Sequence, residues 1–153
     1  MPSGWRLVKK EFAASAFDGE GARINSGRWN SVGVAVVYSA QSQSLALLEV
    51  LVHLEDRSLL SKYWMGAVHF KESHISRIDE RKLPPNWRDE VPPMALQEIG
   101  DEWVKERRSV VLRVPSAIVV DEVNYLINPQ HPDFNSLQIE QPHPFPVDER
   151  LKR

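Results

Sequence analysis

Three side chains that could act together on a substrate come from consecutive parts of the chain: Arg28, Tyr38 and Glu49. Arg28 lies in a loop beside Gly27, Tyr38 follows a short apolar stretch, and Glu49 is the one charged residue in the apolar run 45–52. Burying an unpaired carboxylate is costly, so such a group is normally paired, protonated or functional. The three residues therefore predict a site.

The chemistry available to this set is that of a nucleotide whose N-glycosidic bond breaks. A guanidinium binds phosphate through two parallel hydrogen bonds, and an aromatic ring offers a stacking face for a flat or cationic ring. A carboxylate stabilises a developing oxocarbenium ion or accepts a hydrogen bond from a ribose hydroxyl. NAD fits all three requirements. The alternative is a buried Arg28–Glu49 ion pair that only ties the loop to the helix, and the residues by themselves leave it open.

Composition narrows the class of protein. The chain has 153 residues, a net charge of −2 and no cysteine. These values exclude a disulfide scaffold, a thiolate metal site and a cysteine nucleophile, and they disfavour nucleic acid as the main partner. No segment has the pattern of a signal peptide or the run of about 20 apolar residues that crosses a membrane. We therefore expect a cytoplasmic protein that makes no membrane contact.

The elements that must position the three side chains are strands and two helices. Strands are predicted at residues 5–8, 33–39, 62–70 and 109–114, with shorter candidates at 117–120 and 135–139. A helix is predicted from Ser42 or Ser44 to about Leu54, and because apolar residues surround it, we expect it to be central and buried. Residues 94–107 predict a second helix, and the proline-rich stretch 82–93 predicts an ordered loop. The irregular alternation predicts one compact α+β domain over residues 1–153.

Three segments of the chain resemble the RES-domain toxins of bacterial toxin–antitoxin modules. They are SGRWNSVGVAVVYSAQSQSLALLEVLVHL at 26–54, VPSAIVVDEVNYLINPQHPDF at 114–134 and PFPVDERL at 144–151. The resemblance implies a fold related to ADP-ribosyltransferases, with mixed or antiparallel sheets and a central helix that carries the catalytic glutamate. It also implies cleavage of NAD by hydrolysis or phosphorolysis, with NAD as substrate, phosphate as a possible co-substrate, and no cofactor.

The resemblance further assigns residues and a partner. Arg28, Tyr38 and Glu49 match the family's arginine, tyrosine and glutamate, and the family's serine is Ser116 or Ser136, with Ser116 in the better-matching motif. The implied partner is an Xre-like antitoxin whose C-terminal region occludes the active site, so that DNA is contacted only through the antitoxin. A homodimer is compatible with the same resemblance.

Further candidates and alternatives remain beside this assignment. Asn124 could line the pocket and bind the nucleotide. Glu49 and His53 have a spacing that can ligate a metal, but no second cluster of ligands exists, so no metal is predicted. Two other functions stay open: transfer of ADP-ribose to a protein, and an inactive nucleotide-binding relative.

Overall fold

A computed structural model describes all residues from Met1 to Arg153 and consists of one seven-stranded sheet with three α-helices. The strands are β1 Ser3–Lys9, β2 Val37–Ala40, β3 Tyr63–His69, β4 Ile75–Arg77, β5 Val111–Pro115, β6 Val123–Ile127 and β7 Gln138–Pro144. The helices are α1 Glu20–Asn25, α2 Gln43–Leu51 and α3 Met94–Glu106.

The strand order in the sheet is β4-β5-β6-β2-β1-β3-β7. Only β4 and β5 pair in parallel, and every other neighbouring pair is antiparallel. The predicted α+β class with a mixed sheet is therefore confirmed. The short strand β2 lies in the centre of the sheet between β1 and β6, which places Tyr38 there.

The two helices that matter for the site begin at different kinds of residue. Ser42 caps α2, because its hydroxyl oxygen accepts a hydrogen bond from the backbone N–H of Leu45 at 3.1 Å. The helix α3 starts directly after Pro93, which cannot donate a backbone hydrogen bond and so suits a position just outside the first turn.

The prediction that α2 is buried on all sides is wrong. Leu45 and Ala46 pack onto the sheet, whereas Leu48 and Val52 are 38% and 58% exposed. The helix lies on one face of the sheet and no further element covers its outer side. Glu49 is half-buried at the border between the two sides.

Two apolar clusters occupy the two faces of the sheet around β2. One contains Val37, Phe70, Val111 and Ile127. The other contains the residues that surround Tyr38 and connect the sheet to α3, namely Trp29, Val36, Leu96, Trp103, Leu112, Val114 and Leu126. A third, smaller cluster joins α2 to β1 and β3 through Leu7, Ala40, Leu45, Ala46 and Met65.

The sequence patterns misplaced several strand boundaries. The stretch 33–36 is not a strand, although Ala35 and Val36 are buried, and β2 starts only at Val37. Residues 117–122 form a turn instead of a strand, and the true strand β6 follows them. β6 was not predicted because the polar residues of its sequence VNYLI and the turn-forming residues after it outweigh its apolar ones. The candidate at 135–139 is replaced by a short helical turn followed by the strand β7.

The proline-rich stretch is an ordered loop, as predicted. After one helical turn at Glu80–Lys82, residues 83–93 contain no helix or strand until α3 begins. Trp87 in this stretch packs against the cluster around Tyr38. We name residues 83–93 the proline strap. None of the helices has the length and hydropathy of a membrane span.

Candidate functional site

The site is built around the hydroxyl of Tyr38, which fastens the arginine loop to the centre of the sheet. This hydroxyl accepts a hydrogen bond from the backbone N–H of Trp29 at 3.0 Å and donates one to Oδ1 of Asn30 at 2.6 Å. Burial raises the pKa of Tyr38 well above its ordinary value, and the Trp29 hydrogen bond and the charge of Arg28 offset only part of that effect. Tyr38 is therefore a neutral phenol at physiological pH.

Asn30 holds the loop from the inside. Its side chain is fully buried, and its Nδ2 donates to the carbonyl oxygens of Ala22 at 2.8 Å and Val34 at 3.0 Å. Gly27 allows this arrangement, since a Cβ at that position would lie 2.6 Å from the Tyr38 hydroxyl. The loop Gly-Arg-Trp-Asn that carries Arg28 thus has its buried polar groups paired.

The helix α3 clasps the same loop from the other side. Asp101 accepts hydrogen bonds from the backbone N–H of Ser31 at 2.9 Å and from its hydroxyl at 2.5 Å. Gln97 donates to the carbonyl oxygen of Gly27 at 3.0 Å. Gly100 faces Trp29 so closely that a Cβ would lie 1.7 Å from its carbonyl oxygen. The loop and α3 therefore form one packed unit.

Arg28 extends from this unit to the proline strap. Its Nη1 donates to the carbonyl oxygens of Trp87 at 2.8 Å and Asp89 at 2.9 Å. No protein group accepts from Nε or Nη2, and these two nitrogens form the edge of the guanidinium that binds a phosphate through two parallel bonds. Burial lowers the pKa of Arg28 from its ordinary, very high value, while the nearby charge of Glu49 acts in the opposite direction. Arg28 thus stays a cation, held in place, with one edge free.

Glu49 is oriented by a neutral partner instead of a charge. Its Oε1 accepts a hydrogen bond from Nδ2 of Asn124 at 2.7 Å. Asn124 lies in β6, opposite Ala40 of the neighbouring strand β2. None of the salt bridges in the structure joins Glu49 to Arg28, so the buried ion pair considered from the sequence is absent.

The two candidate serines occupy different surroundings. Ser116 is buried, and its hydroxyl accepts hydrogen bonds from the backbone N–H groups of Ile118 and Val119, both at 3.0 Å, which shapes the turn between β5 and β6. Ser136 is exposed, and its hydroxyl donates to the carbonyl oxygen of Asp133 at 2.6 Å. Neither hydroxyl is hydrogen-bonded to Arg28, Tyr38 or Glu49, and the choice between the two serines stays a prediction.

Several residues of the site were not identified from the sequence. They are Asn30, Gln97, Gly100, Asp101 and the backbone carbonyls of the proline strap. The only nearby sequence feature that points to these residues is the polar dipeptide Asn30-Ser31, two residues after Arg28. The clasp by α3 joins positions about 70 residues apart, and single-sequence periodicity does not show which distant elements meet.

Comparison with known proteins places this geometry in a family. Residues 3–148 match the family model described as the RES domain. A protein of Yersinia enterocolitica named "Toxin Res" is 40% identical over 149 residues, which cover 97% of this chain and 98% of that protein. A protein of a Sphingobium species named "Prs ADP-ribosylating toxin" is 34% identical over 156 residues, which cover 99% and 97% of the two chains.

A solved structure shares the fold. The crystal structure of the M. tuberculosis MbcT-MbcA toxin–antitoxin complex aligns with a TM-score of 0.77 and 18% identity, over 94% of this chain and 84% of that one. The family model and the relatives, together with the shared α+β fold, define the class of protein as a RES-domain protein. The chain described here belongs to the RES-domain family.

Proposed function

We propose that this chain is the toxin of a toxin–antitoxin system and that it arrests growth in the cytoplasm by cleaving the nicotinamide–ribose bond of NAD. Family membership and the names of the relatives support the role of toxin. The proposed reaction rests on one observation, which is how the protein holds the two charged residues Arg28 and Glu49. Glu49 acts on Arg28 electrostatically, yet each is held by neutral groups and the two form no ion pair. Both charges are left for a substrate.

The free edge of Arg28 suits the pyrophosphate of NAD. Its two Nη1 hydrogen bonds to the proline strap fix the plane of the guanidinium. A preorganised guanidinium loses less side-chain entropy on binding than a mobile one, and it recognises two phosphate oxygens at once. The ring of Tyr38 would pack beside the nicotinamide ribose, since its hydroxyl is already committed to Trp29 and Asn30.

Glu49 then stabilises the charge that develops as the bond breaks. When the N-glycosidic bond stretches, its electron pair leaves with nicotinamide and the ribose ring becomes an oxocarbenium ion. A fixed carboxylate near that ring lowers the barrier because it is already oriented before the charge appears. Water or phosphate adds to the ribosyl carbon, which gives hydrolysis or phosphorolysis. Ser116 or Ser136 would assist in holding the ribose or a phosphate.

The reaction is tested by measuring NAD loss and nicotinamide release from the purified protein, with and without phosphate. We expect Glu49→Gln to reduce the rate by about 10²–10³, the size of losing one preorganised electrostatic stabiliser. Glu55→Gln, which changes an exposed carboxylate just beyond α2, is the matched control and should keep full activity. A fully active Glu49→Gln protein would remove Glu49 from the mechanism.

A second candidate reaction is transfer of ADP-ribose to a protein, which the name of the Sphingobium relative, an ADP-ribosylating toxin, favours. The same site would form the same ribosyl cation and deliver it to a protein side chain instead of water or phosphate. Incubating a cell lysate with the enzyme and labelled NAD separates the two reactions. A labelled protein band indicates transfer, free ADP-ribose indicates hydrolysis, and ADP-ribose 1″-phosphate indicates phosphorolysis. Expression without harm to growth would instead support an inactive relative.

The proposal includes an antitoxin as partner. The structural neighbour was solved as a toxin–antitoxin complex. On this chain, two exposed apolar side chains lie close to Glu49 along the chain: Leu48 in α2 and Val52 at the C-terminal cap of that helix. A protein segment packed on them would cover the entrance to Glu49. We propose that an Xre-like antitoxin binds there with its C-terminal region and blocks the substrate.

A further inference from the structure

One polar atom of the site has no partner. The Oδ1 atom of Asn124 is buried and accepts no hydrogen bond, and it is the single buried side-chain nitrogen or oxygen of the structure in that condition. A buried acceptor without a donor costs free energy, so its retention beside a proposed catalytic carboxylate calls for an explanation.

The orientation of the amide is fixed by its neighbour. An ionised carboxylate has acceptors only, so the group of Asn124 that faces Oε1 of Glu49 must be the Nδ2 donor. Rotating the amide would place two acceptors against each other. The oxygen therefore points away from Glu49, and no group in the turn between β5 and β6, in α2 or in β2 donates to it.

The hydrogen-bonded pair leaves two acceptors without a protein donor. Glu49 retains Oε2, which has no protein donor, and Asn124 retains Oδ1. Two acceptors held on one hydrogen-bonded pair suit a ligand with two neighbouring hydroxyl donors, and the ribose of a nucleotide carries such donors at its 2′ and 3′ positions. A free base supplies neither hydroxyl, and a 2′-deoxyribose supplies only one of them.

We propose that Asn124 is a positioning and specificity residue: it orients Glu49 and accepts a hydrogen bond from one hydroxyl of the nicotinamide ribose, while Glu49 accepts from the other. This inference rests on the proposed function and names the part of the substrate that the site recognises. It explains why the acceptor is left unpaired in the free protein. The substrate supplies the missing donor, and a site built to bond a hydroxyl rejects an analogue without it.

The test is a thermodynamic cycle that combines one change in the protein with one change in the substrate. kcat/KM is measured for wild type and Asn124→Leu with NAD and with the two analogues that lack the 2′- or the 3′-hydroxyl of the nicotinamide ribose. Intrinsic differences in reactivity between the analogues cancel in the cycle, which leaves only the coupling between residue 124 and each hydroxyl. We expect a coupling of roughly 5- to 100-fold for one hydroxyl and close to onefold for the other, the range for an unpaired buried acceptor.

Two controls separate specificity from simple structural damage. Gln41→Leu removes a side-chain hydrogen bond to the backbone of Val123, the residue beside Asn124, and should leave the discrimination unchanged. The melting temperature of Asn124→Leu should not fall below that of wild type by more than a few degrees, since the variant also removes an unpaired buried acceptor. A variant that loses discrimination while folding normally matches only the specificity role.

The inference and the proposed function can fail separately. If wild type cleaves NAD and the coupling is onefold for both hydroxyls, the role of Asn124 is overturned and the reaction stands. If wild type leaves NAD intact, the same cycle is measured with dissociation constants from calorimetry, and equal constants overturn the inference. If NAD does not bind at all, both proposals fail.

Discussion

The two halves of the site differ in how completely the protein pairs their polar groups and covers their apolar side chains. On the Arg28 side, the loop is held by Tyr38 and Asn30 below and by α3 above, and its buried polar groups are paired. On the Glu49 side, a single hydrogen bond orients the carboxylate, one acceptor is unpaired and apolar side chains face solvent. The contrast indicates that the half for which we propose phosphate binding is complete in the free protein. The half for which we propose the chemistry is, on that proposal, completed by what binds there.

The largest effect is expected where the rigid half is tightest. Gly100→Ala places a Cβ 1.7 Å from the carbonyl oxygen of Trp29, so α3 must move away from the arginine loop. Overpacking of this kind costs about 1–3 kcal/mol and occasionally more, and the displaced loop should also weaken nucleotide binding. Urea unfolding and NAD titration measure the two losses.

The matched control for this change is Gly21→Ala. Gly21 lies in α1 with open space around its Cα, so alanine should stabilise the protein by up to about 1 kcal/mol. If Gly100→Ala folds as stably as wild type and binds as well, the clasp by α3 does not position the loop, and the rigid half of the comparison fails.

Tyr38→Phe tests the lower attachment of the loop. It leaves the N–H of Trp29 and Oδ1 of Asn30 without their partner, for a cost of about 1–3 kcal/mol. The change should raise KM more than it lowers kcat, because the phenol positions the phosphate-binding loop. If kcat falls by the same factor as KM rises, and the free energy of unfolding is unchanged, the hydroxyl takes part in the reaction instead.

The same variant should change how stability depends on pH. The folded state raises the pKa of Tyr38 above its ordinary value of 10.0, so above that pH the unfolded chain loses the phenolic proton first. The free energy of unfolding of wild type should therefore fall with rising pH beyond about 10, and the fall should be less steep in Tyr38→Phe. Identical slopes from chemical denaturation at pH 9 to 11 would contradict the burial of the phenol.

The smallest effect on the free protein is expected at the exposed face of the other half. The double change Leu48→Ser and Val52→Ser removes exposed apolar area and should alter the free energy of unfolding by no more than about 0.5 kcal/mol per site. Neutralisation by the antitoxin should nevertheless weaken, since these side chains form the proposed docking surface. Growth rescue on co-expression is the measurement. Phe12→Ser is the control, because Phe12 is an exposed apolar residue distant in sequence from α2. If the antitoxin rescues growth from the double variant as well as from wild type, the docking surface lies elsewhere.

Residue patterns within short stretches of sequence predicted those parts of the molecule whose structure depends mainly on neighbouring residues. The serine cap of α2, the loop character of the proline strap and the strands β1, β3 and β5 follow from residue preferences and apolar runs. Consecutive elements carry Arg28, Tyr38 and Glu49, and their joint action as a site stays a prediction. The exposed side of α2 could not be predicted, because a helix that is apolar all round has the same pattern whether or not a partner covers it.

The remaining parts depend on contacts between distant residues. Gly100 is an unremarkable helix residue until α3 meets Trp29, and Asn124 is a turn-forming type until β6 pairs with β2. The sequence left an ion pair with Arg28 open as the partner of Glu49, and the structure gives that place to Asn124. A strand register decides this pairing, and shifting it by one residue would turn Asn124 to the opposite face.

The edges of the sheet determine how a partner can approach. The strand β4 at one edge has three residues, and β7 at the other contains Pro142 and Pro144, which lack the N–H that an added strand would need. Neither edge is a good template for another chain. Both edges therefore disfavour edge-to-edge aggregation. We expect an antitoxin to recognise side chains on a surface of this chain instead of extending its sheet.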